Sequence, residues 1–364
     1  MDRKYYLDWL RVTAFGLLIP FHVGMLYVGW FYPLKSPRLV PQLEWLLMLF
    51  TPWRMALVFF ISGVASRHLI ARLGAGGYAR DRLRRLLPVI LLGMLVVNAP
   101  QSWTVALAHG LTHADLWTFW GAYLRGDHRI TGMTTPRWDH LWFLLYLLPY
   151  ALVFAAMWRW TRRLPGLPVA ALIVLPAAWL VVTGMLEDTL WPRTDALFND
   201  WAMHLRWAGL FGFGIAAATR EAFWNWLQSH RAMLSVLALL GAMLLVMQHA
   251  MALQSAHVPP VNWLSYDVLS GLFGWSVILA VCGHAQHLFN RPSPQLSWLN
   301  TAVLPVYVLH QPLLFAAAWL LFPLRLPLAI EAALLAAVTL AGAVTVYAVA
   351  VQPFRVTRFL FGLK

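Results

Sequence analysis

The sequence predicts an all-α polytopic membrane protein with about ten transmembrane helices and both termini on the cytoplasmic side. Three observations carry that expectation. Of 364 residues, 61% are apolar and only 11% are charged, where a soluble chain carries about 25% charged residues. Apolar stretches long enough to cross a bilayer recur along the whole chain. Arginine and lysine are distributed unequally between the two sets of connections these stretches define.

The first span covers 7–31. Arg3 and Lys4 precede it as they would a secretion signal. The run is too long for a signal core, lacks a small-residue cleavage site and contains Arg11 and His22, so it reads as a retained span. Hydropathy places the other nine at 45–71, 83–108, 138–158, 168–186, 201–219, 232–253, 264–285, 298–321 and 327–351. Pro20, Pro149, Pro305 and Pro312 fall inside spans, which membrane helices tolerate where neighbours satisfy the freed backbone groups. The longest connection, 109–137, carries a candidate interfacial helix at Leu116–Leu124. Residues 1–364 read as a single membrane domain, without internal repeat or separate soluble domain.

With the N-terminus inside, the inner connections hold Arg3, Lys4, six arginines from Arg67 to Arg85, Arg159, Arg162, Arg163, Arg220, Arg231, Arg291, Arg355, Arg358 and Lys364. The outer ones hold Lys35, Arg38, Arg125, Arg129, Arg137, Arg193 and Arg325. The inner excess sets the orientation. Outer loop 187–200 is acidic, through Glu187, Asp188, Asp195 and Asp200. Trp30, Trp45, Trp138, Trp142 and Trp298 sit at span ends as interface anchors. Topology thus explains most of the net charge of +13, and no nucleic-acid partner is implied. Cys282 is the only cysteine, which excludes an intrachain disulfide and a thiolate metal site. The histidines lack metal-ligand spacing, so no metal is expected. Neither a Gly-rich phosphate loop nor a G-x-S-x-G nucleophile elbow is present.

Arg11, Arg54 and Arg206 remain inside spans. Ionisable groups in the hydrocarbon are costly and mark functional sites by default. On a continuous helix Arg11 and His22 would be separated by three turns plus about 20° and roughly 16 Å of rise, facing one way at two depths. His22, Arg54 and His310 each count to near the midplane, so they are expected to meet in one internal site. The alternative is three separate helix–helix hydrogen bonds. Asp139, His140, Trp142, His204, Arg206 and Asp267 lie further out and could line a polar vestibule suited to a carbohydrate, or be ordinary interfacial residues. Arg80, Arg82, Arg84 and Arg85 precede span three. Such a cluster binds the phosphates of a nucleotide-bearing ligand or lipid, or simply serves topology.

Together these residues resemble the acyltransferase 3 family of membrane acyltransferases over nearly the whole chain. The likeness rests on Tyr6-Leu7-Asp8 leading to Arg11, Ile19-Pro20-Phe21-His22, Arg54-Met55 and Phe59-Phe60-Ile61-Ser62-Gly63. It continues through Arg84-Arg85 before Pro88, His140-Leu141-Trp142-Phe143-Leu144, and Tyr307 to Pro312. Arg11 and His22 match the family's Arg–His pair on the first span. Within the family the chain is most similar to the branch that succinylates osmoregulated periplasmic glucans. Spans five to eight carry little of the likeness.

The resemblance implies a bacterial inner-membrane enzyme moving an acyl group from cytoplasmic acyl-coenzyme A to a hydroxyl of a periplasmic or envelope glycan. Succinyl is favoured over acetyl, and no cofactor is held permanently. His22 is then the candidate general base, with an acyl-histidine as the alternative route. Arg11, paired with Asp8 one turn earlier, would hold the donor, and Arg82, Arg84 and Arg85 its phosphates. Arg54 would stabilise the oxyanion or bind a succinyl carboxylate. His310 would support His22, and Asp139, His140, Trp142, Arg206 and Asp267 would contact the acceptor. The competing reading is a transporter or flippase of a glycan or lipid-linked sugar. It would call for inverted repeats and paired broken helices, which the sequence does not display.

Overall fold

Pro20 has no N–H to give the Gly16 carbonyl, and the first helical segment is interrupted there. Helix α1 (Tyr5–Gly16) ends, Leu17 forms a turn, and α2 (Leu18–Met25) begins. The computed structural model describes residues 4–163, 166–254 and 261–363; Arg3 and Lys364 lie outside them. One continuous helix over 7–31 is therefore corrected to two short helices followed by a non-helical segment, 26–42.

The chain continues with α3 (Leu43–Leu92), a π-helical segment (Gly93–Val97), α4 (Asn98–Ala108), α5 (Leu116–Arg125) and α6 (His128–Thr131). A 3-10 turn (Asp139–Leu141) leads into α7 (Trp142–Thr161), followed by α8 (Val169–Thr189), α9 (Trp201–Ala217) and α10 (Glu221–Ser229). Then come α11 (Arg231–Gln254), α12 (Val261–Phe289), α13 (Pro294–Leu321) and α14 (Leu328–Val346). A second π-helical segment (Tyr347–Val351) precedes α15 (Arg355–Leu360). Among the described residues the secondary structure is entirely helical.

Among the described residues, seven of these helical stretches are long and apolar enough to cross a membrane. They differ from the ten expected spans at three places. The second and third spans form one stretch, Leu43–Ala108, divided at Gly74, whose φ of +70° is a conformation that favours glycine. The first is split at Leu17. The sixth is α9, with 17 residues.

The chain forms two compact units. The first comprises 1–14, 48–79 and 149–296. Here α8, α9, α10, α11 and α12 pack together. The α3 segment of this unit crosses α9 with backbones nearly touching. A Cβ on Gly63 would strike the Phe211 carbonyl, and one on Gly214 would strike that of Phe60. Small residues at membrane-helix crossings permit this approach. Beside the crossing, Phe59 stacks on Trp207 with ring centroids 5.1 Å apart.

The second unit comprises 15–47, 80–148 and 297–364. Val23, Leu26, Tyr27, Leu314, Phe315, Ala318 and Leu335 form a hydrophobic core within it. Segment 26–42 is tied down at both edges. Lys35 Nζ donates to the Met25 and Val28 carbonyls, 2.8 Å each, satisfying orphan acceptors at the end of α2. Glu331, 1% exposed, accepts from Tyr27 Oη and from Arg38 Nη2, each at 2.8 Å. Helix α5 starts at Asp115, which caps the Trp117 and Thr118 amides, and stops at Gly126 with φ +69°. The expected short helix near 116–124 is thus present.

Candidate active site

His22 sits on α2, one turn beyond the break at Leu17, and His310 on α13. Both belong to the second unit, and the structure brings them into direct contact. His22 Nδ1 lies 2.9 Å from His310 Nε2, with the rings stacked 5.1 Å apart and tilted by 16°. His310 Nδ1 faces the Tyr307 carbonyl one turn earlier on α13. A carbonyl only accepts, so His310 Nδ1 carries the proton and, in the neutral ring, Nε2 is a bare acceptor. His22 Nδ1 must then be the donor. With both rings neutral, Nε2 is then the unprotonated nitrogen of His22.

Aromatic rings shape the surroundings. Tyr32, on the tied-down segment, stacks on His22 at 5.8 Å and meets Phe315 edge-on at 5.4 Å. Tyr307 packs against His310 and Phe15. His140, 6% exposed, stands perpendicular to the His310 ring at 5.3 Å. Its Nε2 lies 2.9 Å from the Val308 carbonyl, and its own carbonyl accepts from Tyr307 Oη. Asp139 next to it has φ +39° and is held by Arg137 Nε at 2.8 Å and Gln101 Nε2 at 2.9 Å. Trp142 opens α7 and packs edge-on against Tyr146. Gly93 leaves room for Leu141, where a Cβ would collide.

Arg82, Arg84 and Arg85 of this unit have individual surroundings. Arg82 pairs with Asp81 at 2.6 Å, Arg85 Nε donates to the Gly362 carbonyl at 3.1 Å, and Arg84 is exposed.

Arg11, Arg54, Arg206 and Asp267 belong to the first unit. Arg11 is half-buried on α1, and Arg54 is 7% exposed on α3. Arg206 on α9 reaches Glu187 at 2.7 Å and Thr183 at 3.2 Å on α8. Asp267 of α12 is buried beside Gly184, where a Cβ would lie 2.6 Å from Oδ1 and 3.4 Å from Arg206 Nη2. Arg206 and Asp267 thus share one polar cluster with Glu187 and Thr183. Among the described residues, no group of three His, Cys, Asp or Glu side chains could hold a metal ion.

Sequence reasoning did not single out Tyr32, Gln101 or Glu331. Glu331 had a readable signal, as an acid within the last apolar span. Tyr32 had none, because its place over His22 depends on how 26–42 folds back.

The described residues thus form a helical fold with several membrane-length stretches and a histidine pair in direct contact. The acyltransferase domain family matches residues 4–348, so the chain belongs to the acyltransferase 3 family and is an acyltransferase. That agrees with the resemblance read from the sequence and favours acyl transfer over transport. The chain is similar to Glucans biosynthesis protein C of Salmonella paratyphi A and of Salmonella agona (strain SL483). Each is 24% identical over 342 residues, covering 87% of this chain and 84% of the relative. No solved structure matches it.

Proposed function

We propose that the protein is a ten-span enzyme of the bacterial inner membrane with both termini in the cytoplasm. It moves an acyl group, succinyl in preference to acetyl, from cytoplasmic acyl-coenzyme A to a hydroxyl of a periplasmic or envelope glycan. The curated relatives, named for glucan biosynthesis, support the acceptor class. The excess of arginine and lysine in alternate connections supports the orientation.

The observation that carries the chemistry is the His22–His310 contact. His22 Nε2 takes the proton of the sugar hydroxyl as its oxygen bonds to the thioester carbonyl carbon. The tetrahedral intermediate collapses with cleavage of the carbon–sulfur bond. The proton held on the dyad passes to the departing thiolate, giving a sugar ester and free coenzyme A. His310 orients His22 and stabilises its cation by accepting from Nδ1. Arg82, Arg84 and Arg85 would meet the donor phosphates, Arg85 by exchanging its backbone contact for one. On sequence grounds alone, Arg11 is assigned to the donor and Arg54 to the oxyanion or a succinyl carboxylate. Asp139 and Trp142, and on sequence grounds alone Arg206 and Asp267, are the proposed acceptor contacts.

The test is mass spectrometry of glycans from cells expressing the chain or His22→Ala at matched membrane levels. A mass increment of one acyl group that vanishes in the variant supports the reading, and its size separates succinyl from acetyl. An increment that persists in the variant removes His22 from catalysis. No increment in either removes the glycan acceptor.

A further inference from the structure

Pro312 lies within α13, one residue beyond Gln311 and two beyond His310. In a regular helix its N–H would bond the carbonyl four residues earlier, at Val308; proline has none to give. That buried carbonyl is met instead by His140 Nε2 at 2.9 Å, from a different segment of the same unit. A carbonyl requires a donor, so His140 is protonated on Nε2, and its ring is committed to α13. The contact is returned next door, where Tyr307 Oη donates to the His140 carbonyl. These two bonds clasp the entrance of α7 to the turn of α13 that bears His310, and the His140 ring lies edge-on against the His310 ring at 5.3 Å.

We infer that His140 is a positioning residue: it supplies the N–H that Pro312 lacks and thereby fixes the turn that presents His310 to His22. The role rests on the proposed dyad chemistry for its effect on rate, so the test has one arm that needs no acyl transfer.

That arm is carbethoxylation of His22 by diethyl pyrocarbonate, read by peptide mass spectrometry of the full-length protein in detergent. The second arm is steady-state transfer to glucan from succinyl-coenzyme A. His140→Ala is expected to slow both His22 labelling and kcat about tenfold, with KM unchanged. In His140→Gln the amide Nε2 reaches the same carbonyl, and both quantities return to within about twofold of the parent. Pro312→Ala restores a backbone N–H at 312, so adding His140→Ala to it should cost little in either arm. The inference is overturned if His140→Gln behaves like His140→Ala, or if His140→Ala costs the same with and without Pro312. A parent protein that labels normally yet fails to acylate glucan would sink the acceptor reading, while the labelling series still decides the role of His140.

Discussion

His22 Nδ1 and His310 Nε2 share a single proton across 2.9 Å, and the Tyr307 carbonyl decides which ring supplies it. Position 310 must therefore offer His22 an acceptor. His310→Gln can place an amide oxygen there and should retain part of the activity; His310→Leu should lose far more. His22→Ala should lose about 10²- to 10⁴-fold, the usual worth of a positioned base. Steady-state kinetics on purified protein would give the order parent, His310→Gln, His310→Leu. Equal loss in both His310 variants would contradict the acceptor role.

Gly63 and Gly214 make the α3–α9 crossing of the first unit possible, because each occupies the space beside the other helix's carbonyl. Gly63→Ala or Gly214→Ala forces the two backbones apart. Each should destabilise the protein by about 1–3 kcal/mol, the usual cost of overpacking. Thermal unfolding in detergent would register it as a lowered midpoint. The double variant should cost less than the sum, since one displacement relieves both clashes.

Gly184→Ala probes the polar cluster of Arg206, Asp267, Glu187 and Thr183. The new methyl would sit 2.6 Å from Asp267 Oδ1, so the carboxylate must swing away from its place beside Arg206. If this cluster binds the acceptor, KM for glucan should rise several-fold while KM for the acyl donor stays constant. An unchanged KM for glucan would remove Arg206 and Asp267 from acceptor binding.

Asp115 confers a pH dependence on the start of α5. The Thr118 hydroxyl, then the Thr118 and Trp117 amides, donate to its carboxylate and hold it below the ordinary carboxylate range. A depressed folded value means the cap's contribution is complete above the unfolded value and lost as pH falls through the folded one. Hydrogen-exchange protection of the Trp117 and Thr118 amides should be flat near neutrality and decline below about pH 4. Asp115→Asn keeps an acceptor oxygen and should abolish that decline.

The fold class was legible because spans are written in long apolar runs, and most expected spans overlap a helix within a few residues. The divisions were less legible. Nothing in hydropathy separates a helix that turns at Gly74 from two helices joined by a loop, since Arg72, Arg80 and Arg82 are as acceptable on an exposed helix as in a connection. The meeting of His22 with His310 was readable from depth alone. Which way each ring points was not, because that depends on the Tyr307 carbonyl, a backbone group with no signature in the side-chain pattern. The bond of His140 to the Val308 carbonyl was hidden for the same reason, since its partner is again a backbone group.

The π-helical segment at Gly93–Val97 gives the following helix a phase as well as a length. One residue added to a helical turn rotates everything after it by about 100°. Asn98 and Gln101, which donate to the Arg137 carbonyl and to Asp139, take their bearing from that offset. Deleting a single residue between Gly93 and Val97 would leave hydropathy and span length nearly untouched, yet would turn both amides from their partners. Among relatives of this chain, a one-residue gap here would thus be a larger change than many substitutions, and an alignment that slides across it would pair residues facing different sides of the helix.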